Sequence, residues 1–203
     1  MTDKYQQVLD LFLQNTMEEL GKFVRNISID SLTAAANIIY DAQAHGGRIH
    51  ITGVGKSAYV AGYIAALMSS TGTPTYFLNA TEAVHGSCGQ LLPGDVVICV
   101  SNSGETIEMK SAVLAIKNND CNVIPVTGNS DSWLAKQGKV HLFAGIFNEG
   151  GPLNRAPRMS ILAQSLVLQA LSVVLQTERE VTAEQYVKWH PSGSLGQLLK
   201  NEK

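Results

Sequence analysis

The chain has 203 residues, 45% of them hydrophobic, which is enough for one sizeable core and fits a single domain over 1–203 with a helical extension in about its first 30 residues. A formal net charge of −2, with no Lys/Arg-rich block, excludes the electrostatic footprint of a nucleic-acid or anionic-membrane binder. The start, MTDKYQQVLD, has no basic segment leading into an apolar stretch and cleavage site, and no uninterrupted apolar run reaches spanning length, so a cytoplasmic protein is expected.

In chain order, Val8, Leu9, Phe12, Leu20 and Phe23 put the apolar residues of 5–24 on roughly one helical face. Leu32, Ala35, Ala36 and Ile39 repeat that period after Ser31, which reads as the cap of a second helix. Five short β-rich runs follow, at 48–53, 74–78, 95–101, 122–128 and 140–145, each separated by helix or turn. This alternation predicts a three-layer α/β/α sandwich of the flavodoxin-like kind, with five parallel strands covered on both faces. The run VVICV is apolar throughout and suits a central strand. From Met159 to Leu175, a stripe made of Met159, Leu162, Ala163, Leu166, Val167, Ala170, Leu171 and Val174 predicts a long, well-buried helix rather than a cofactor box. The tail shows a short helical pattern, a Pro/Gly turn and a last amphipathic turn. Cys88, Cys99 and Cys121 are odd in number and lack metal or redox spacing, so they read as reduced, buried small hydrophobes.

In a doubly wound sheet, ligands collect outside the carboxyl ends of the strands, so the segments directly after each strand are the informative ones. After the first run, Gly53-Val54-Gly55-Lys56-Ser57 opens a helix, and its glycines let backbone amides approach an anion at a positive helix end. The spacing is neither that of a nucleotide-hydrolase phosphate loop nor of a GxGxxG dinucleotide loop. After the third run, Ser101-Asn102-Ser103-Gly104-Glu105-Thr106 clusters three hydroxyls and a glycine at a helix start; these either coordinate phosphate oxygens or simply cap the helix through Ser101 or Ser103. Helix-end amides and hydroxyls suit a phosphate monoester without metal. Near the same rim stand Glu82 and His85, Glu108, Glu149 and, in the tail, His190. Such residues can open a sugar ring and carry a proton between adjacent carbons. His45 and His141 read as structural, no metal spacing joins His85 to a carboxylate, and no cofactor is expected.

Taken together, TGVGKS, STGTP, EAVHG, GDVV, SNSGET and the terminal HPSGSLG resemble the SIS (sugar isomerase) family, and within it the SIS half of arabinose-5-phosphate isomerases, from about residue 30 to the end. The pairing of EAVHG with HPSGSLG is more specific than either anion-friendly loop. Matched by motif, the resemblance implies an active site lined by Lys56, His85, Glu108, Glu149 and His190, with phosphate on Ser101, Ser103 and Thr106, near Ser57 and the amides around Gly55. It further implies an aldose–ketose isomerase acting between D-ribulose 5-phosphate and D-arabinose 5-phosphate. A homotetramer is implied as well, with shared sites, His190 donated by a neighbour, and the helices over 5–24 and 159–175 as contacts. His190 would assist ring opening, Glu149 or Glu108 would shuttle the proton through a cis-enediol, and Lys56 or His85 would stabilise the oxyanion.

Two departures widen the reading. Relatives usually carry a run like CP-x-x-LAPTSST after the last strand, whereas residues 151–161 here lose hydroxyls and add Arg155 and Arg158, which serve either a second anionic group or a solvated loop. Many relatives also continue into a pair of CBS domains, for which this chain leaves no room. An isomerase of a hexulose or heptulose phosphate, or a non-catalytic phosphosugar-sensing module, remains open. The sensing modules normally carry a DNA-binding domain, for which the chain has neither length nor basic surface.

Overall fold

Ile49, Ile51, Val96, Ile98, Val100, Ile124 and Val126 leave water completely, and they do so on one face of a sheet whose other face buries Leu78, Val97, Cys99 and Val123. The sheet therefore has helices on both sides. In the computed structural model, which describes residues 2–197, it contains β1 (Ile49–Gly53), β2 (Thr75–Asn79), β3 (Val96–Val100), β4 (Asn122–Thr127) and β5 (Leu142–Phe143). All pairings are parallel and the order is β2-β1-β3-β4-β5, with Ile49 in register with Thr75 on one side and Val96 on the other. Helices α2 (Ile29–Ala44), α3 (Lys56–Ser70) and α6 (Met159–Glu178) cover the first face, and α4 (Ala80–Ala83) and α5 (Ile107–Asn118) the second. The predicted five-stranded α/β sandwich is the observed one.

Several elements differ from the sequence reading. Ser28, not Ser31, caps α2, its side chain accepting the Ser31 amide. The run 140–145 yields only two strand residues: β5 pairs on one side alone, through Val126–Leu142 and Thr127–Phe143. In α6 the buried face is turned from the predicted stripe. Leu162 is 39% exposed, while Ser160, Gln164, Leu168, Ser172 and Leu175 are buried. Helix α6 is also long and apolar enough to cross a membrane by length and composition, with half of that stretch buried in the protein.

Helix α1 (Thr2–Arg25) is less embedded than its pattern suggests: Phe23 and Glu19 are buried, but Val8 and Leu9 are about half exposed. The Glu19 carboxylate accepts the Phe147 amide at 2.8 Å, tying α1 to the segment after β5. Helix α7 (Ala183–Trp189) begins with Thr182 and Gln185 in a reciprocal capping box and ends at His190. The expected last amphipathic turn of the tail runs past residue 197, outside the described residues. All three cysteines are free and buried, and burial pushes each thiol up, Cys121 to about 11.

Candidate active site

The order of the strands reverses between β1 and β3, the switch point at which an open sheet leaves a crevice beyond its carboxyl edge. The glycine loop follows β1 and the serine loop follows β3, so the two predicted anion loops are neighbours. At Gly53 a Cβ would meet the Ser57 carbonyl at 2.6 Å, so only glycine lets strand and helix start approach this closely. Gly55, with φ of +60°, then turns the chain into α3 without any side-chain cap, leaving the amides of the first turn free of side-chain partners. These amides and the positive end of α3 face the same region.

In the serine loop, Ser101 Oγ accepts the Gly104 amide at 3.2 Å and lies 3.3 Å from Thr106 Oγ1, while Ser103 Oγ accepts the Glu105 amide at 3.2 Å. Neither serine caps α5. The cap position is Thr106, whose side chain makes no capping bond. Glu105 secures the outside of the loop: its carboxylate accepts the Trp133 amide at 2.7 Å and pairs with Lys110, and Lys110 first, then Trp133, hold its pKa below the ordinary value. Together the two loops and the start of α6 enclose a cleft of about 270 Å³ lined by Lys56, Ser57, Ser101, Ser103, Thr106, Ser160 and Gln164, among others. Ser57 is buried in its wall and donates to Gln164 Oε1 at 3.0 Å.

Glu149 is not among the residues lining this cleft; it is tied to the start of α6, whose Ser160 does line it. Its Oε2 accepts the Arg158 amide at 2.6 Å and the Ser160 amide at 3.2 Å, supplying the cap that Arg158, at the cap position, does not provide. The Glu149 amide in turn donates to Asn154 Oδ1 at 2.6 Å, which fixes the 148–158 loop around it. A carboxylate at the positive end of a 20-residue helix is favourably placed. His85 and Glu108 are not among the residues lining this cleft; they follow β2 and β3 beyond the carboxyl edge of the sheet. His85 is exposed and follows α4, Glu108 is exposed in the first turn of α5, and α4 packs on α5.

His190 is not brought to the cleft of its own chain. Helix α6 starts at Met159, beside the cleft, and its 20 residues run about 30 Å at 1.5 Å per residue toward the opposite edge of the sheet. There, a Cβ on Gly72, between α3 and β2, would lie 3.1 Å from the Trp189 ring. Beside it, the His190 ring stacks on Tyr186 at 4.0 Å and its Nδ1 lies 2.8 Å from the Tyr186 carbonyl. His45 and His141 stay away from the cleft: His45 ends α2, and His141 Nε2 lies 2.8 Å from Thr127 Oγ1. Among the described residues, no group of three His, Cys, Asp or Glu side chains converges as a metal site.

Sequence reasoning missed Ser160 and Gln164 as cleft residues. The signal was two polar residues four apart inside an apolar helical face, which the stripe of large hydrophobes obscured.

The family model for the SIS domain matches residues 42–174, which contain both loops, Glu149, Ser160 and Gln164. The chain belongs to the SIS domain family. It is 41% identical over 153 residues to the arabinose 5-phosphate isomerase KdsD of Pseudomonas aeruginosa, a match covering 75% of this chain and 47% of that protein. To the arabinose 5-phosphate isomerase KpsF of Escherichia coli it is 32% identical over 207 residues, covering 98% of this chain and 64% of that one. The chain thus spans about half the length of the KdsD relative. Among solved structures, an E. coli CFT073 protein in complex with a sugar phosphate superposes with a TM-score of 0.81 at 31% identity, over 94% of this chain and 100% of that chain.

Proposed function

We propose that this SIS domain is a sugar-phosphate aldose–ketose isomerase of the arabinose-5-phosphate isomerase type, interconverting D-ribulose 5-phosphate and D-arabinose 5-phosphate. The observation that carries the reading is the cleft in which the glycine and serine loops meet the helix that the Glu149 carboxylate caps. The likeness to a sugar-phosphate-bound protein and to named arabinose 5-phosphate isomerases supports the choice of sugar.

In this account the phosphate sits against Ser101, Ser103, Thr106 and the amides from Gly55 to Ser57. The sugar's other end then extends toward Glu149 and the α4–α5 rim. D-Arabinose 5-phosphate enters as a ring; a proton leaves the anomeric hydroxyl and one is returned to the ring oxygen, with His190 assisting. Glu149 then takes the proton from carbon 2, leaving a cis-enediolate with its charge on the carbon 1 oxygen; a proton passes from the carbon 2 hydroxyl to that oxygen, and Glu149 returns its proton to carbon 1 to give the ketose, Glu108 being the second carboxylate available for that role. Lys56 or His85 stabilises the oxygen that gains charge.

Because His190 lies at the far edge of its own sheet, this mechanism takes His190 from a neighbouring subunit, in a homotetramer. The apolar residues that α1 leaves exposed, Tyr5, Val8 and Leu9 among them, are the contact surface we favour, since α6 is largely covered by α1, α2 and α3 of its own chain. A cytoplasmic site of action fits a phosphorylated substrate and three free thiols.

Incubating the protein with five- to seven-carbon sugar phosphates, with and without a chelator, and following aldose–ketose interconversion by NMR tests the reading. Turnover that is best with the pentose phosphates and indifferent to chelator is expected. Preference for a heptose or hexose phosphate would move the substrate, with the Arg155–Arg158 loop as the cause to examine. Chelator-sensitive turnover restored by metal would overturn the metal-free chemistry.

A further inference from the structure

The floor of the cleft holds donors that no described residue satisfies. Ser160 and Gln164 are four residues apart on one face of α6, each is 0% exposed, and both line the cleft. Among the described residues, Ser160 Oγ and Gln164 Nε2 make no hydrogen bond. The opposite end of the amide is anchored, because Ser57 Oγ donates to Gln164 Oε1 at 3.0 Å. With the carbonyl oxygen engaged, the –NH₂ group is the end left for a ligand, and it carries two donor hydrogens. Buried donors without partners are rare in folded proteins because each forfeits its hydrogen bonds to water, so two of them lining one cleft call for an acceptor there.

The cleft they face is the one walled by Ser101, Ser103 and Thr106. A phosphate monoester presents three strong acceptor oxygens. The serine loop approaches such a group from the β3 side only, while Gln164 and Ser160 approach it from α6. We propose that Gln164 is a phosphate-binding residue whose Nε2 donates to a phosphoryl oxygen, held in register by Ser57 and assisted by the Ser160 hydroxyl. The inference rests on the reading of the cleft as a sugar-phosphate site. It makes Ser57 a positioning residue that acts through Gln164, its own hydroxyl hydrogen being committed to the amide. Because Gln164 grips the phosphate and not the reacting carbons, it governs substrate affinity more than the chemical step.

The test is calorimetric titration of wild type, Gln164→Met and Ser160→Ala with inorganic phosphate and with D-arabinose 5-phosphate, alongside isomerase kinetics and thermal unfolding without ligand. Gln164→Met is expected to weaken both ligands about tenfold or more, as loss of a hydrogen bond to a charged group does, and Ser160→Ala to weaken them less. KM should rise in step while kcat holds. Gln164→Glu keeps an acceptor for Ser57 and replaces the donor by a carboxylate, so it should repel phosphate even if the methionine variant fails to fold. Unchanged affinity in Gln164→Glu or in Gln164→Met would overturn the proposal. Wild type that binds both ligands but converts no sugar would overturn the isomerase reading alone, since the affinity ratio still judges Gln164. Wild type that binds neither would overturn both.

Discussion

Glu149 serves two purposes with one carboxylate: it caps α6 through the amides of Arg158 and Ser160, and it is the base we assign to the enediol step. The two roles separate by substitution. Glu149→Gln retains an acceptor for the helix amides but not the basicity, so kcat should fall on the order of a hundredfold or more while the melting temperature stays near that of wild type. Glu149→Ala loses both, and should in addition destabilise the fold by about 1 kcal/mol, as the loss of a helix cap does. Full turnover in Glu149→Gln would transfer the role to Glu108. At this scale the sequence was partly legible. The serine and glycine loops stood out by composition, and Lys56, Ser57, Ser101, Ser103 and Thr106 line one cleft. The capping by Glu149 was not legible, because cap and helix start are separated by a loop and local patterns reach only about three or four residues. Gln164 was hidden for a related reason: its importance depends on Ser57, 107 residues away in sequence.

Among the elements, α6 joins the site to the core. Leu168 is fully buried on its inner face, packed with the core over β1, β3 and β4, so Leu168→Ala should lower stability in urea by about 2–5 kcal/mol. The alternation of β and α segments was readable because a sheet covered on both faces demands apolar strands and amphipathic crossovers. Strand length at the edge was not, since pairing decides it: β5 has one neighbour and shrinks to Leu142–Phe143. The rotation of α6 was likewise set by its packing against α2 and α3. Beside β5, burial holds the His141 imidazole below its ordinary value of 6.5. Below about pH 6.5 the unfolded chain therefore binds a proton that the folded ring resists, so stability rises with pH through that window and falls on acidification. His50, buried in β1 and also lowered by burial, adds a contribution of the same sign. The melting temperature should thus drop between about pH 7 and 5, and less steeply in His141→Asn. An equally steep drop in that variant would remove His141 as a source.

For the whole molecule, the distance between His190 and the cleft is the feature that most constrains the mechanism. A site completed by a second subunit predicts complementation. Subunits carrying His190→Asn and subunits carrying Glu149→Gln should each be nearly inactive as homo-oligomers, and mixing them through unfolding and refolding should restore part of the activity. No recovery on mixing would place His190 outside the reaction. The motif pointed to His190, and only the resemblance pointed to a neighbour's copy of it, because which subunit a residue serves depends on how copies assemble. The central claim, that the cleft converts a sugar phosphate and does not merely hold one, is tested most directly by incubating wild-type protein with D-arabinose 5-phosphate in D₂O and following the sugar by NMR. The account predicts conversion to an equilibrium mixture containing the ketose, with solvent deuterium entering at the carbons that exchange the proton. Sugar that binds yet stays unconverted and unlabelled would contradict it.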